Sequence, residues 1–177
     1  MGFNLSNGHH QEQTRTLVAF GPGSQVSWQS LGDSVMGGQS DGVIDCFAED
    51  AGGFHGTVRL DNGGGFASVK GDLRTPLDAS GWTGIVLMAM GDGKTYKIGL
   101  RNDTDRSSTV YQYSFTPDTD QWSRVEIPFR DFIPTWRGRT VMDAEPLDTG
   151  NLASVSVFVS ERQVGAFHLK MKNWVLY

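Results

Sequence analysis

The chain has 177 residues, 38% of them hydrophobic and 20% charged, with a net charge of −5. It therefore carries enough apolar material for one packed domain and lacks the basic stripe that a nucleic-acid surface needs. Its single cysteine, Cys46, excludes an intramolecular disulfide, and no apolar run reaches the ~20 residues of a membrane-spanning helix.

Residues 1–14 are polar and irregular and read as a flexible arm ahead of one domain over residues 15–177. The opening Met1-Gly2-Phe3-Asn4-Leu5 has neither a signal-peptide core nor an Arg-rich leader, which implies a cytoplasmic protein. From there the chain is a series of short alternating apolar runs divided by Gly, Asp, Asn and Pro, the pattern of an all-β fold. Strands are predicted at residues 16–20, 26–30, 42–47, 54–60, 66–70, 84–90, 95–101, 109–115, 123–128, 152–159 and 167–177. Cys46 falls in the third of these and reads as a small buried apolar side chain.

Several runs show which residues share a face. Phe54, Val58 and Leu60 belong together, as do Tyr96, Ile98 and Leu100, because side chains alternate along a strand. Val155, Val157 and Val159 alternate with Ser154, Ser156 and Ser160; Phe167, Leu169 and Met171 alternate with His168, Lys170 and Lys172. The phase slips at Asn173, which predicts a bulge there. Residues 85–90 are apolar throughout and predict a central strand covered on both faces. Gly91-Asp92-Gly93-Lys94 predicts a hairpin turn between two strands, and residues 61–65 a tight connection whose glycines take positive φ. Helix is limited to two short stretches, 128–136 and 146–152, neither long enough to stand alone. About ten strands in one domain imply two packed sheets, a β-sandwich.

Asp33-Ser34-Val35-Met36-Gly37-Gly38-Gln39-Ser40 follows neither a helical nor a strand period. Its Gly pair permits unusual backbone angles, and its Asp and Ser side chains can bond nearby backbone. It is followed in order by Phe54-His55-Gly56-Thr57-Val58, Asn62-Gly63-Gly64-Gly65-Phe66-Ala67-Ser68, Gly91-Asp92-Gly93-Lys94-Thr95-Tyr96, Trp122-Ser123-Arg124-Val125-Glu126-Ile127-Pro128-Phe129, Phe132 and Arg137-Gly138-Arg139. This succession, from about Val26 to Tyr177, resembles the complex I intermediate-associated protein 30 family. The resemblance implies a galactose-binding-like jelly roll, related in shape to carbohydrate-binding modules. It also implies a chaperone-like assembly factor, whose partner is an assembly intermediate of a membrane complex. A free-standing short domain of this type looks bacterial.

No catalytic constellation is legible. His55 and His168 sit mid-strand as solvent-facing residues, G-x-S-x-G and H-E-x-x-H are missing, and Ser34 and Ser40 have no base at a tied spacing. The loop aspartates read as Asx turns, with a structural calcium as the other reading; no cofactor is implied, and no metal set is assigned. The chain therefore reads as a non-catalytic, protein-binding domain. Its expected surface comprises Asp33, Ser34, Met36, Ser40, Asn62, Ser68, Trp136, Arg137 and Arg139, polar or Gly-flanked segments unlike a core. Arg137 and Arg139 either grip a partner's carboxylates or pin the loop through Asp33 or Asp143. The alternative is a carbohydrate-binding module, with Tyr111 and Tyr113 on one strand face stacking against a glycan on a concave sheet, set against core packing of the same rings.

Overall fold

The computed structural model describes residues 14–31 and 40–177. Asp33, Ser34, Met36 and nearly all of the N-terminal arm lie outside the described residues. The described chain forms fourteen strands: β1 (Arg15–Val18), β2 (Val26–Ser30), β3 (Asp41–Ala48), β4 (Ala51–Val58), β5 (Ala67–Leu77), β6 (Gly84–Met90), β7 (Tyr96–Arg101), β8 (Val110–Phe115), β9 (Ser123–Pro128), β10 (Ile133–Trp136), β11 (Arg139–Thr140), β12 (Leu152–Val159), β13 (Gly165–Lys172) and β14 (Trp174–Leu176). They build two seven-stranded sheets. In sheet I, β3 pairs β4 and β4 pairs β13; β13 and β14 both pair β6, whose other neighbour is β9, and β1 pairs β14. Sheet II runs β11-β10-β8-β7-β12-β5-β2. The sandwich is a jelly roll.

The alternating apolar residues close the core. Val155, Val157 and Val159 of β12 face Phe54 of β4 and Phe167, Leu169 and Met171 of β13 across the sandwich, all buried in one cluster. Phe54 packs on Phe167 at 4.8 Å between ring centroids. At Gly71 in β5 the neighbouring β2 comes so close that a Cβ would stand 2.4 Å from Val26 Cγ1, so only glycine lets Trp28 reach the core. The phase slip at Asn173 divides β13 from β14: its side chain accepts from Phe20 N–H at 2.9 Å and its own N–H donates to the Asp50 carbonyl at 2.9 Å. Trp174 and Leu176 are then buried beyond the break.

Five expectations need correction. Gly91–Lys94 is not a hairpin: β6 lies in sheet I and β7 in sheet II, so the segment crosses between sheets. It is clasped there by the second crossing, residues 116–122, through Gly91 N–H to the Asp118 carbonyl at 2.8 Å. β6 is central but not covered on both faces, since Val86, Met88 and Met90 are half-buried. The stretch 128–136 holds one 3-10 turn, Phe129–Asp131, before β10, and 146–152 has no helix. Cys46 is exposed, because β3 is an edge strand; its sulfur accepts from Gly21 N–H at 3.1 Å. Leu60, placed with Phe54 and Val58 by period, lies past the end of β4 and is exposed.

Candidate functional site

Two clusters of the expected surface residues stand at opposite edges of sheet II. The first surrounds the ends of the segment between β2 and β3. Leu31 N–H donates to the Ser68 carbonyl at 2.8 Å, and the Ser68 hydroxyl donates back to the Leu31 carbonyl at 2.6 Å. Ser40 bridges to Arg59 in both directions, its hydroxyl accepting from Arg59 N–H at 2.9 Å and reaching the Arg59 carbonyl at 3.0 Å. Ser30 Oγ donates to the Gly42 carbonyl at 2.5 Å. Ser40 and Ser68 are buried anchors of that segment. Asn62 is exposed in the turn Asp61–Gly63 with φ 53°, a left-handed angle that Asn tolerates better than most side chains.

The second cluster is the β10–β11 hairpin, five strand spacings or roughly 24 Å away across the sheet. Gly138 turns it at φ 77°, and Arg137 before it sits at φ 47°. Trp136 is 47% exposed; its indole N–H donates to the Ser107 carbonyl at 3.0 Å, and the Arg137 guanidinium lies 4.8 Å over its ring. Ile133 at the start of β10 and Met142 just after β11 are exposed as well. Among the described residues, Arg137 and Arg139 form no ion pair, so neither pairs with Asp143.

Between the clusters runs the outer face of sheet II, which alternation makes polar: Asp72, Ser154 and Arg101 in one row, Lys70, Ser156 and Gly99 in the next. Its centre is shut off from solvent, with Lys70 3% and Arg101 5% exposed. Lys70 pairs with Asp72. Arg101 donates to Ser156 Oγ at 2.9 Å and to the Arg106 carbonyl at 3.4 Å, and Ser154 Oγ donates to the Asp103 carbonyl at 2.7 Å. The β7–β8 loop is thus folded over the face. Burial lowers the Arg101 pKa, opposed by Asp103, Asp105 and Asp72. Lys70 and Arg101 were not singled out in the sequence; Arg101 ends an apolar alternating run, which gave no cue to the roof above it.

Tyr111 is not on an outer aromatic patch. It is 7% exposed and belongs to the core, with its hydroxyl donating to the Glu145 carbonyl; Tyr113 is packed against the core as well. Phase decides this: Gln112, between them, takes the outer face of β8.

The outer face of sheet I is open by contrast. A trough of about 720 Å³ is lined by Asp45, Phe47, His55 and Lys170 among others. His55 Nε2 lies 2.7 Å from Asp45 Oδ2, and the His55 and His168 rings are 5.8 Å apart. Burial, then Lys170 and His55, lower the His168 pKa, while Asp92 opposes them. No hydroxyl or thiol among the described residues hydrogen-bonds either imidazole, as a nucleophile–base pair would require. Asp92 was read only as part of a turn, and its anchoring role escaped the sequence reading. Its carboxylate accepts from the buried Tyr96 hydroxyl at 2.9 Å, Lys94 N–H at 3.1 Å and His168 N–H at 2.8 Å, tying the crossing to both sheets. Burial and the Asp92 charge push the Tyr96 pKa far up. Other loop aspartates make Asx turns: Asp78 to Ser80, Asp103 to Asp105, Asp105 to Ser107 and Asp148 to Gly150.

Comparison with known proteins follows the same lines. The family profile described as Complex I intermediate-associated protein 30 (CIA30) matches residues 18–171. The chain is 30% identical over 98 residues to Complex I intermediate-associated protein 30, mitochondrial, of Mus musculus, covering 53% of this chain and 30% of the mouse protein. It is 28% identical over 162 residues to an uncharacterized protein of Schizosaccharomyces pombe, covering 81% of this chain and 74% of that one. The chain therefore spans under a third of the mouse relative. Among solved structures, the family 11 carbohydrate-binding module of the cellulase Lic26A-Cel5E of Clostridium thermocellum superposes with TM-score 0.66 at 19% identity, covering 93% of this chain and 94% of that module. An agarase matches with TM-score 0.60 at 11% identity, covering 92% of this chain and 24% of its own. At these identities the likeness is one of fold. No helix among the described residues is long and apolar enough to cross a membrane.

Proposed function

The chain belongs to the complex I intermediate-associated protein 30 family, and from that premise we propose that it is a non-catalytic, chaperone-like binding domain for a protein partner, an assembly intermediate of respiratory complex I. The docking edge is the β10–β11 hairpin. The observation that carries this reading is the pair of guanidiniums, Arg137 and Arg139, with no ion pair among the described residues, on a hairpin with exposed Trp136 under Arg137 and with Ile133 and Met142 exposed at its two ends. Trp and Arg are the side chains that concentrate binding energy at protein interfaces, and guanidiniums grip carboxylates in bidentate fashion. The partner surface is accordingly acidic with an apolar centre.

The buried polar residues of sheet II, by this reading, hold the scaffold and touch no partner. Ser68 holds Leu31 and Ser40 holds Arg59, so both described ends of the chain around residues 32–39 are anchored. A carbohydrate-binding role shares the fold but loses its stacking platform, because Tyr111 is in the core. Affinity capture of complex I subassemblies tests the proposal: the wild-type chain recovers them, the Arg137→Ala/Arg139→Ala variant does not, and equal recovery overturns it. Binding of a mixed-linkage glucan lost on Trp136→Ala would redirect the hairpin to sugar.

A further inference from the structure

The open face of sheet I carries an arrangement with no part in that reading. His55 of β4 and His168 of β13 are direct cross-strand partners, and the neighbouring row sets Asp45, Gly53, Lys170 and Met90 side by side across four strands. The two imidazoles project from the same outer face, edge to face, with centroids 5.8 Å apart and planes at 80°. With metal–nitrogen bonds of about 2.0–2.1 Å, two imidazoles sharing one ion stand roughly 5–6 Å apart between centroids.

We propose that His55 and His168 bind one divalent transition-metal ion, of the imidazole-preferring class of zinc, copper and nickel, across the β4–β13 pair.

Three features of the trough support this. Asp45 Oδ2 lies 2.7 Å from His55 Nε2, so it holds the proton on Nε2 and leaves the Nδ1 lone pair free, the arrangement in which a carboxylate orients a histidine ligand. The His168 ring makes no hydrogen bond among the described residues, so a lone pair on it is uncommitted. Gly53 gives the ring room, since a Cβ there would stand 3.2 Å from His168 Nε2. Three carboxylates, Asp45, Asp92 and Asp120, border the trough and its smaller neighbour against one cation, Lys170, whose ammonium lies 5.7 Å over the Phe47 ring and still repels positive charge at His168. No three His, Cys, Asp or Glu side chains converge on one point among the described residues. The protein thus supplies two ligands, water completes the shell, and the ion is exchangeable, unlike the closed four-ligand set of a structural zinc site.

The test is calorimetric titration of the full chain with zinc chloride. His9 and His10 could bind zinc on their own, so the titrated protein carries His9→Ala/His10→Ala. One zinc per chain is expected with micromolar affinity. His55→Ala and His168→Ala should each weaken it at least tenfold, and Asp45→Asn, which only positions His55, by less. Nickel should broaden the NMR signals of His55 and His168 selectively. Circular dichroism verifies that the variants keep their β-structure; should His55→Ala fail to fold, the nickel experiment on the parent decides. Titration without saturable heat, or affinity unchanged in either folded histidine variant, overturns the proposal.

Discussion

The two outer faces of the sandwich start from the same sequence pattern and end in opposite states. In β12, Ser154 and Ser156 alternate with valines; in β13, His168 and Lys170 alternate with Phe167, Leu169 and Met171. The serines are sealed under the β7–β8 loop, where they meet Arg101 and the Asp103 carbonyl. His168 is open to solvent over a trough. Alternation therefore determines which residues enter the core, but not whether the other face is roofed. A roofed polar face is part of the scaffold, and most of its groups find partners inside the fold, because unpaired buried polar atoms are costly; Arg101 Nε is the exception, buried without a partner among the described residues. An open face leaves its groups for other molecules.

The sharpest way to break this contrast is to remove Arg101. Arg101→Ala removes the charged hydrogen bonds to Ser156 Oγ and the Arg106 carbonyl that hold the loop over the face, and a loss of about 3 kcal/mol in urea unfolding is expected; a loss below about 1 kcal/mol would mean that Arg101 does not hold the roof. Asp92→Ala comes next. It strands the hydroxyl of fully buried Tyr96 and frees the crossing from β13, with an expected cost of about 2 kcal/mol, whereas an exposed carboxylate on the open face would cost almost nothing.

Tyr111→Phe should cost about 1 kcal/mol through the lost bond to the Glu145 carbonyl, read as a lower thermal midpoint with the fold intact. An unchanged midpoint would place that hydroxyl in water. Arg137→Ala/Arg139→Ala should stay within about 0.5 kcal/mol of the parent, because the hairpin guanidiniums have no carboxylate partner within the described chain.

The smallest effect is one of pH. Hydrogen bonds from the Ser107 backbone and hydroxyl lower the Asp105 pKa from 3.8, and those of Ser80 lower that of Asp78. A depressed carboxyl pKa stabilises the fold above the unfolded value, and that contribution is lost as pH falls below about 3.8 through the folded value. Asp105→Asn should therefore flatten the acid limb of stability against pH slightly; a steeper limb would reverse the sign assigned to this turn.

Much of the fold was legible because the inner faces follow period two. The valines of β12, the Phe-Leu-Met run of β13 and the break at Asn173 all lie where alternation puts them. Partner strands were not legible. Gly91-Asp92-Gly93-Lys94 has hairpin chemistry, yet a short loop can equally cross between sheets, and only tertiary packing decides. The alternation of Tyr111 and Gln112 was clear, but which phase faces inward depends on the strands across the sandwich. Of the candidate site, Trp136, Arg137 and Arg139 could be named from their residue types. Lys70 and Arg101 could not, because nothing in their local sequence signals a loop folding over them. The His55–His168 pair depends on a register between strands more than a hundred residues apart.

The most direct test sets the two faces against each other in one capture experiment with complex I subassemblies. The Arg137→Ala/Arg139→Ala chain should lose the partner while the His55→Ala/His168→Ala chain keeps it. Loss from the histidine variant with retention by the arginine variant would move recognition to sheet I and contradict the account.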